Sequence, residues 1–173
     1  EGNVTLADAA DLSVTTGNEA ITFGGNILGT AAGVATDVTL NSGTQATSVK
    51  TIGSSSNIND VSITAGTINT NGTITTAEVG GGSSTAGNVT LTGAVNLAGA
   101  TTIDTSSSGG TVGFTSTIDG ANTLTITSGA GNVDIAGIIG GTTAVGNTAI
   151  NNASGAGTID ILQIGDGTPA AGI

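Results

Sequence analysis

The chain contains no histidine, cysteine, methionine, tryptophan, tyrosine or arginine, and it has one lysine, one proline and two phenylalanines in 173 residues. Enzymes rely on these missing side chains for acid–base, thiol and metal chemistry. A serine or threonine nucleophile would also lack its usual activating base. The sequence therefore predicts a protein that is not an enzyme and that carries no cofactor.

Positive charge is almost absent. Twelve carboxylates stand against Lys50 alone, which gives a net charge of −11 and an isoelectric point near 4.1. Nucleic acids and anionic lipid headgroups are bound by clustered Lys and Arg, so both classes of partner are excluded. Long hydrophobic runs are missing as well, and we expect no membrane insertion.

Glycine and β-branched residues dominate what is present. The chain has 31 glycines and 33 threonines, while 36% of it is hydrophobic and 8% is charged. Disordered chains have the opposite balance. Short alternating runs such as residues 88–92 (NVTLT) and 123–127 (TLTIT) are bounded by Gly, Asn or Ser. This pattern predicts an all-β protein with short strands.

Internal repetition indicates how these strands are arranged. Residues 12–53 align without a gap to residues 124–165, and both apolar and glycine positions recur. A finer series of aliphatic residues recurs at nearly constant spacing: Ile74, Val89, Ile103, Ile118 and Val133. Such periodicity is typical of stacked units. We therefore predict a single β-solenoid segment over residues 1–173, with either two or three strands in each turn.

Most of the chain resembles a known family, and one stretch carries the resemblance most clearly. Residues 87–146 (GNVTLTGAVNLAGATTIDTSSSGGTVGFTSTIDGANTLTITSGAGNVDIAGIIGGTTAVG) are similar to the repeats of filamentous-haemagglutinin-like and autotransporter-type giant bacterial adhesins. The resemblance implies a right-handed parallel β-helix that is made from a very long precursor. It also implies an extracellular or cell-surface location on a Gram-negative-type cell.

An alternative fold remains open at this point. Asn71-Gly72 lies between two alternating runs and is a strong signal for a β-hairpin, although the same dipeptide also suits a solenoid corner. A hairpin would favour an antiparallel β-sandwich, as in a pilin-type subunit that polymerises by donating a strand.

Neither end of the chain has the features of a solenoid cap. An uncapped solenoid exposes a strand edge that recruits another edge. We therefore expect the chain to be one unit of a tandem or head-to-tail array that associates with itself into filaments.

Three aspartates are candidate calcium ligands. Asp104, Asp119 and Asp134 each directly follow an aliphatic residue of the finer series. If the three carboxylates stacked in one column, they would repel one another and favour a bound Ca²⁺. Solvated acids at turns are the favoured interpretation, because calcium needs six to eight oxygen ligands.

Two further features allow functional hypotheses. Lys50 is interpreted as a surface or charge-pairing residue. Thr-x-Thr occurs at residues 73–75, 90–92, 115–117 and 125–127, and flat threonine arrays resemble those of ice-binding solenoids. Threonine also suits any exposed strand face, which is the simpler interpretation.

From these patterns we expect a non-catalytic structural segment of an extracellular bacterial filament, adhesin or biofilm-matrix fibre. The alternative is a surface-binding module that recognises glycans or ice through a Thr-rich face.

Overall fold

The chain forms a coil of parallel β-strands in this computed structural model, which describes residues 2–30, 36–53, 58–77 and 87–165. The described residues form about six turns and contain no helix. The strands are β1 (Val4–Thr5), β2 (Leu12–Thr15), β3 (Ile21–Thr22), β4 (Ile27–Leu28), β5 (Val38–Asn41), β6 (Ala46–Val49), β7 (Val61–Thr75), β8 (Val89–Thr105), β9 (Val112–Phe114), β10 (Ile118–Asp119), β11 (Leu124–Ser128), β12 (Val133–Ile139), β13 (Thr148–Asn152) and β14 (Ile159–Ile164). All pairings between these strands are parallel. The predicted parallel β-solenoid is confirmed, and the antiparallel sandwich is wrong.

Each turn of the solenoid has three faces. The first face contains β2, β5 and β9 together with the first residues of β7, β8, β12 and β14. The second face contains β3, β6 and β10, and the third contains β1, β4, β11 and β13, with the long strands β7 and β8 crossing all three. Turn length varies, since the chain takes a longer path from Val61 to its partner Val89 than from Val112 to its partner Val133.

The core is built from columns of aliphatic side chains that repeat from turn to turn. Alternation along a strand sends every second side chain inward, and parallel in-register pairing places that side chain above its counterpart one turn earlier. On the third face, such a column consists of Val4, Ile27, Ile52, Ile74, Ile103, Ile126 and Ile150. On the first face, one consists of Val14, Leu40, Ile63, Leu91, Phe114, Ile135 and Ile161. The columns merge into one hydrophobic core along the axis.

Glycines let the chain turn sharply where one face meets the next. Gly72 and Gly93 lie inside β7 and β8 with φ of 136° and 134°, a region that other residues rarely adopt. A Cβ on Gly93 would lie 1.9 Å from the carbonyl oxygen of Ala65 on the previous turn. Asn71-Gly72 is therefore a solenoid corner within one strand, and the hairpin interpretation is wrong.

In the two copies of the internal repeat, matching apolar side chains point inward alike, but they lie on different faces of the solenoid. Val14 lies on the first face, whereas its sequence partner Ile126 lies on the third face. Similarly, Ile27 is on the third face and its partner Ile139 is on the second. The offset between the two copies therefore spans four turns and two further faces. It recurs because every face demands the same spacing of inward aliphatic residues and glycine corners.

Removing one inward side chain is expected to weaken the whole stack. Ile63 is completely buried between Leu40 and Leu91. We expect Ile63→Ala to lower the free energy of unfolding by about 2–5 kcal/mol, because the truncation leaves a cavity in the column. Chemical unfolding followed by circular dichroism measures this change.

The matched control is Ser62→Ala on the outward side of the same strand. It should change the free energy of unfolding by no more than about 0.5 kcal/mol. Equal effects of the two substitutions would contradict the assignment of inward and outward columns.

Candidate functional site

The three aspartates proposed as calcium ligands lie on three different faces. Asp104 is on the third face, Asp119 on the second and Asp134 on the first. The step from one aspartate to the next carries the chain across two faces, so it falls short of a complete turn. Within the described ranges, no group of three or more acidic side chains is arranged to hold a metal ion. The carboxylates therefore do not stack into a calcium ladder.

Two of these aspartates instead hydrogen-bond to nearby turns. Asp104 Oδ1 accepts hydrogen bonds from the backbone N and the Oγ of Ser106, at 2.9 and 2.6 Å. Asp119 Oδ1 accepts from the backbone N of Thr142 and Thr143, at 2.7 and 3.0 Å. Asp134 is exposed. Placed this way, the first two organise loops, which agrees with the interpretation as turn acids.

A different acidic column does form, at the corner before the first face. Asp11 Oδ1 accepts the backbone N–H of Asp37 at 3.0 Å. Asp37 Oδ1 accepts the backbone N–H of Asp60 at 3.0 Å, and Asp60 Oδ1 accepts that of Asn88 at 2.7 Å. Asn88 continues the series by accepting the N–H of Thr111 at 2.9 Å. Each side chain thus binds the backbone one turn further along the axis.

The sequence carries a signal for this corner column, although the spacing of the acidic residues does not reveal it. An Asp or Asn directly precedes the first-face strand in five turns, as in DLSVT, DVTLN, DVSIT, NVTLT and NVDIA. The shared feature is an acceptor side chain before an alternating strand rather than a fixed residue spacing. Its role is structural, since it caps a backbone N–H group.

The outer surface of the first face carries a regular array of small polar side chains. One column consists of Ser13, Thr39, Ser62 and Thr90, and the other consists of Thr15, Asn41, Thr64 and Thr92. Neighbours across turns are about 4.8 Å apart, and neighbours along a strand are about 6.7 Å apart. No charged residue lies within these two columns over the four turns, although Asp11, Asp37 and Asp60 of the corner column directly precede three of the strands. Further along, Asp134 and Asp160 occupy the first column. We call these eight residues the hydroxyl array.

The Thr-x-Thr motifs noted in the sequence do not form a single surface. Thr90 and Thr92 belong to the hydroxyl array, and residues 73–75 and 125–127 lie on the third face. Residues 115–117 lie between β9 and β10. The regular array arises mainly from serines and from threonines that stand outside the Thr-x-Thr motifs.

The last described turn exposes a hydrophobic strand edge. Ile159, Leu162 and Ile164 of β14 are 44%, 67% and 68% exposed. Ile164 also borders a cavity of about 300 Å³ that is lined by Ile139 and Val145. At the opposite end, Val4, Leu12 and Val14 are half-buried. Ile159 and Ile164 pair with the buried Val133 and Ile139, so two core columns are exposed at the last described turn.

Disrupting the corner column is expected to destabilise the solenoid. Asp37 Oδ1 accepts from both Asp60 N and Asn59 Nδ2, each at 3.0 Å. Asp37→Ala should lower the free energy of unfolding by about 1–3 kcal/mol, because both donors lose a charged acceptor. Asp37→Asn keeps an acceptor oxygen and should cost less than about 1 kcal/mol.

Thermal and urea unfolding would measure these differences. Asp134→Ala removes an exposed acid outside the corner column and should stay within about 0.5 kcal/mol of the unaltered protein. A loss at Asp134 as large as that at Asp37 would contradict the assignment of the Asp37 effect to the corner hydrogen bonds.

Comparison with known proteins does not indicate a function, so the surfaces of the molecule are the basis for the proposal below. Within the ranges that the structure describes, no helix has the length and hydropathy needed to cross a membrane. No protein-family model, curated protein or solved structure matches the chain.

Proposed function

We propose that the chain is a non-catalytic structural segment of an extracellular bacterial filament, adhesin or matrix fibre, and that copies associate head to tail. The observation that carries the proposal is the exposed hydrophobic edge of β14. Parallel strand edges recruit further strands unless they are covered or charged. A second copy that docks its first turn on this edge would extend the aliphatic columns.

The two ends are chemically suited to each other. Ile159, Ile161 and Ile164 continue three inward columns at one end, and Leu12, Val14 and Ile21 begin the same columns at the other. Docking in register would place aliphatic residues on aliphatic residues, as between turns within the chain. A contact that joins two different surfaces generates an open filament when the rotation between copies does not close into a ring, and stacking along the solenoid axis is of this open kind.

The solenoid also has mechanical properties that suit a fibre. Its backbone hydrogen bonds run along the axis, so many of them share an axial load at every junction between turns. The net charge of −11 limits side-by-side clumping of such fibres. An extracellular or cell-surface location is part of the proposal and is supported by the resemblance of residues 87–146 to adhesin repeats.

Filament formation can be tested by charging the exposed edge. We expect the purified chain to form filaments at high concentration in negative-stain microscopy, with a matching fast-sedimenting species. Leu162→Lys combined with Ile164→Lys should abolish them, because exposed lysines on a strand edge oppose pairing.

The control is Thr102→Lys combined with Thr125→Lys, which adds the same charge to the side of the solenoid. These variants should still form filaments. Dispersed monomers of the unaltered chain at high concentration would overturn the head-to-tail proposal.

The hydroxyl array supports a second candidate, a surface-binding module for ice or an ordered glycan. Eight small polar side chains lie on one face in two straight columns without a charge. Rigid, regular spacing is what recognition of a repeating surface requires, since little side-chain freedom is lost on binding.

Binding assays on the two outer faces test this candidate. We expect thermal hysteresis or retention on insoluble polysaccharide, and we expect Ser62→Lys combined with Thr64→Lys to remove it by breaking both columns. The pair Thr102→Lys and Thr125→Lys on the third face should leave binding unchanged. Equal losses in both pairs would contradict recognition through the hydroxyl array.

A further inference from the structure

Asn71 lies at a corner of the solenoid and is followed by a glycine. The dipeptide Asn71-Gly72 is the only Asn-Gly in the sequence, and it lies within β7 between the second and third faces. Asn71 is exposed, and Gly72 has a φ of 136°. Because glycine has no side chain, nothing shields its backbone nitrogen from the side-chain amide of the residue before it.

Cross-strand pairing does not fix the backbone at Asn71. Towards the following turn, Thr70 and Gly72 have register partners, whereas Asn71 has none. Towards the preceding turn, pairing stops at Thr70 and resumes at Ile74 within the described ranges. Asn71 therefore lies outside the register on both sides, at the point where the strand changes face.

The side chain of Asn71 is not held by hydrogen bonds either. Among the described residues, its amide has no hydrogen-bond partner, and Oδ1 lies over Gly99 on the next turn, where a Cβ would overlap it. By contrast, Asn69 donates to Ser48 Oγ at 3.2 Å and accepts from Asn96 Nδ2 at 2.9 Å. The amide of Asn71 is therefore free to rotate towards the backbone nitrogen that follows it.

We propose that Asn71 is a modification site, at which the side-chain amide is lost by spontaneous deamidation with water as the only co-reactant. Hydroxide removes the N–H proton of Gly72, and this nitrogen attacks Cγ of Asn71. The Cγ–Nδ2 bond breaks, and Nδ2 takes a proton from water and leaves as ammonia. Water then opens the cyclic imide at one of its two carbonyls, which yields either aspartate or isoaspartate.

The isoaspartate product lengthens the backbone between two anchored residues. Thr70 is 1% exposed and its Oγ1 is hydrogen-bonded to that of Thr101 at 2.9 Å. Ile74 is also 1% exposed and belongs to the third-face aliphatic column. An additional methylene in the chain has to be accommodated between them, so the modification weakens the stacking of this turn. The aspartate product keeps the original backbone path.

Asp119-Gly120 provides an internal comparison, because it is another acidic or amide residue followed by a glycine of positive φ. Asp119 Oδ1 is held by the backbone N–H groups of Thr142 and Thr143, at 2.7 and 3.0 Å. An ionised carboxylate is also a poorer target for a nucleophile than an amide. We therefore expect the backbone at Asp119 to remain unmodified while Asn71 reacts.

Peptide mapping of the folded chain after incubation in mildly alkaline buffer tests the proposal. Conversion at Asn71 raises the mass of its peptide by the difference between O and NH. We expect it to proceed within about tenfold of its rate in the denaturant-unfolded chain, a barrier difference below about 1.4 kcal/mol. Cleavage by a protease that cuts before aspartate but not before isoaspartate measures the ratio of the two products.

Two variants separate the modification from its structural effect. Asn71→Gln should stop the reaction, because glutamine would have to form a six-membered ring. Asn71→Asp carries the charge of the product on an unaltered backbone. The incubated protein with isoaspartate at position 71 should therefore unfold at a lower denaturant concentration than Asn71→Asp.

Three results would overturn the proposal. The first is an intact Asn71 in the folded chain under conditions that convert the unfolded chain. The second is an absence of conversion in both states, and the third is equal conversion at the asparagines that glycine does not follow. Equal unfolding of the isoaspartate form and of Asn71→Asp would reject the weakening of the corner.

Discussion

The stacking of each turn on the one before it is the interaction on which the whole structure depends. A single turn, such as the one from Val112 to its partner Val133, is too small to bury its own aliphatic side chains. Parallel pairing solves this problem, because every inward Ile, Val or Leu is covered by its counterpart on the next turn. The near absence of aromatic residues follows from the same geometry, since a narrow core filled by columns has little room for large rings.

Differences in turn length are accommodated at the corners, because the strands on the faces have to stay in register. Turn length differs from one coil to the next, yet the aliphatic columns stay in register through all the described turns. Glycines such as Gly72 and Gly93 allow sharp bends, and the acceptor column of Asp11, Asp37, Asp60 and Asn88 binds backbone N–H groups from turn to turn. Acidic residues at this corner therefore stabilise the stack while they supply surface charge.

The rigid interior leaves the outward positions available for recognition. One surface stands out because it is regular: the hydroxyl array on the first face, none of whose eight side chains carries a charge. The exposed edge of β14 differs in another way, because Ile159 and Ile164 continue core columns and are exposed at the last described turn. The proposed binding and assembly roles thus arise from separate parts of one scaffold.

The amino-acid sequence by itself determined the class of the fold. Alternation, β-branched residues and frequent glycine specify short strands and corners, and these signals are local, so they can be identified without coordinates. Only the tertiary structure decided which residues meet, because contacts in a solenoid depend on the length of a turn and each corner changes that length. For this reason Asp104, Asp119 and Asp134 were separated onto three faces, the internal repeat was shifted from one face to another, and Lys50 came to lie beside Phe23 and Asn69.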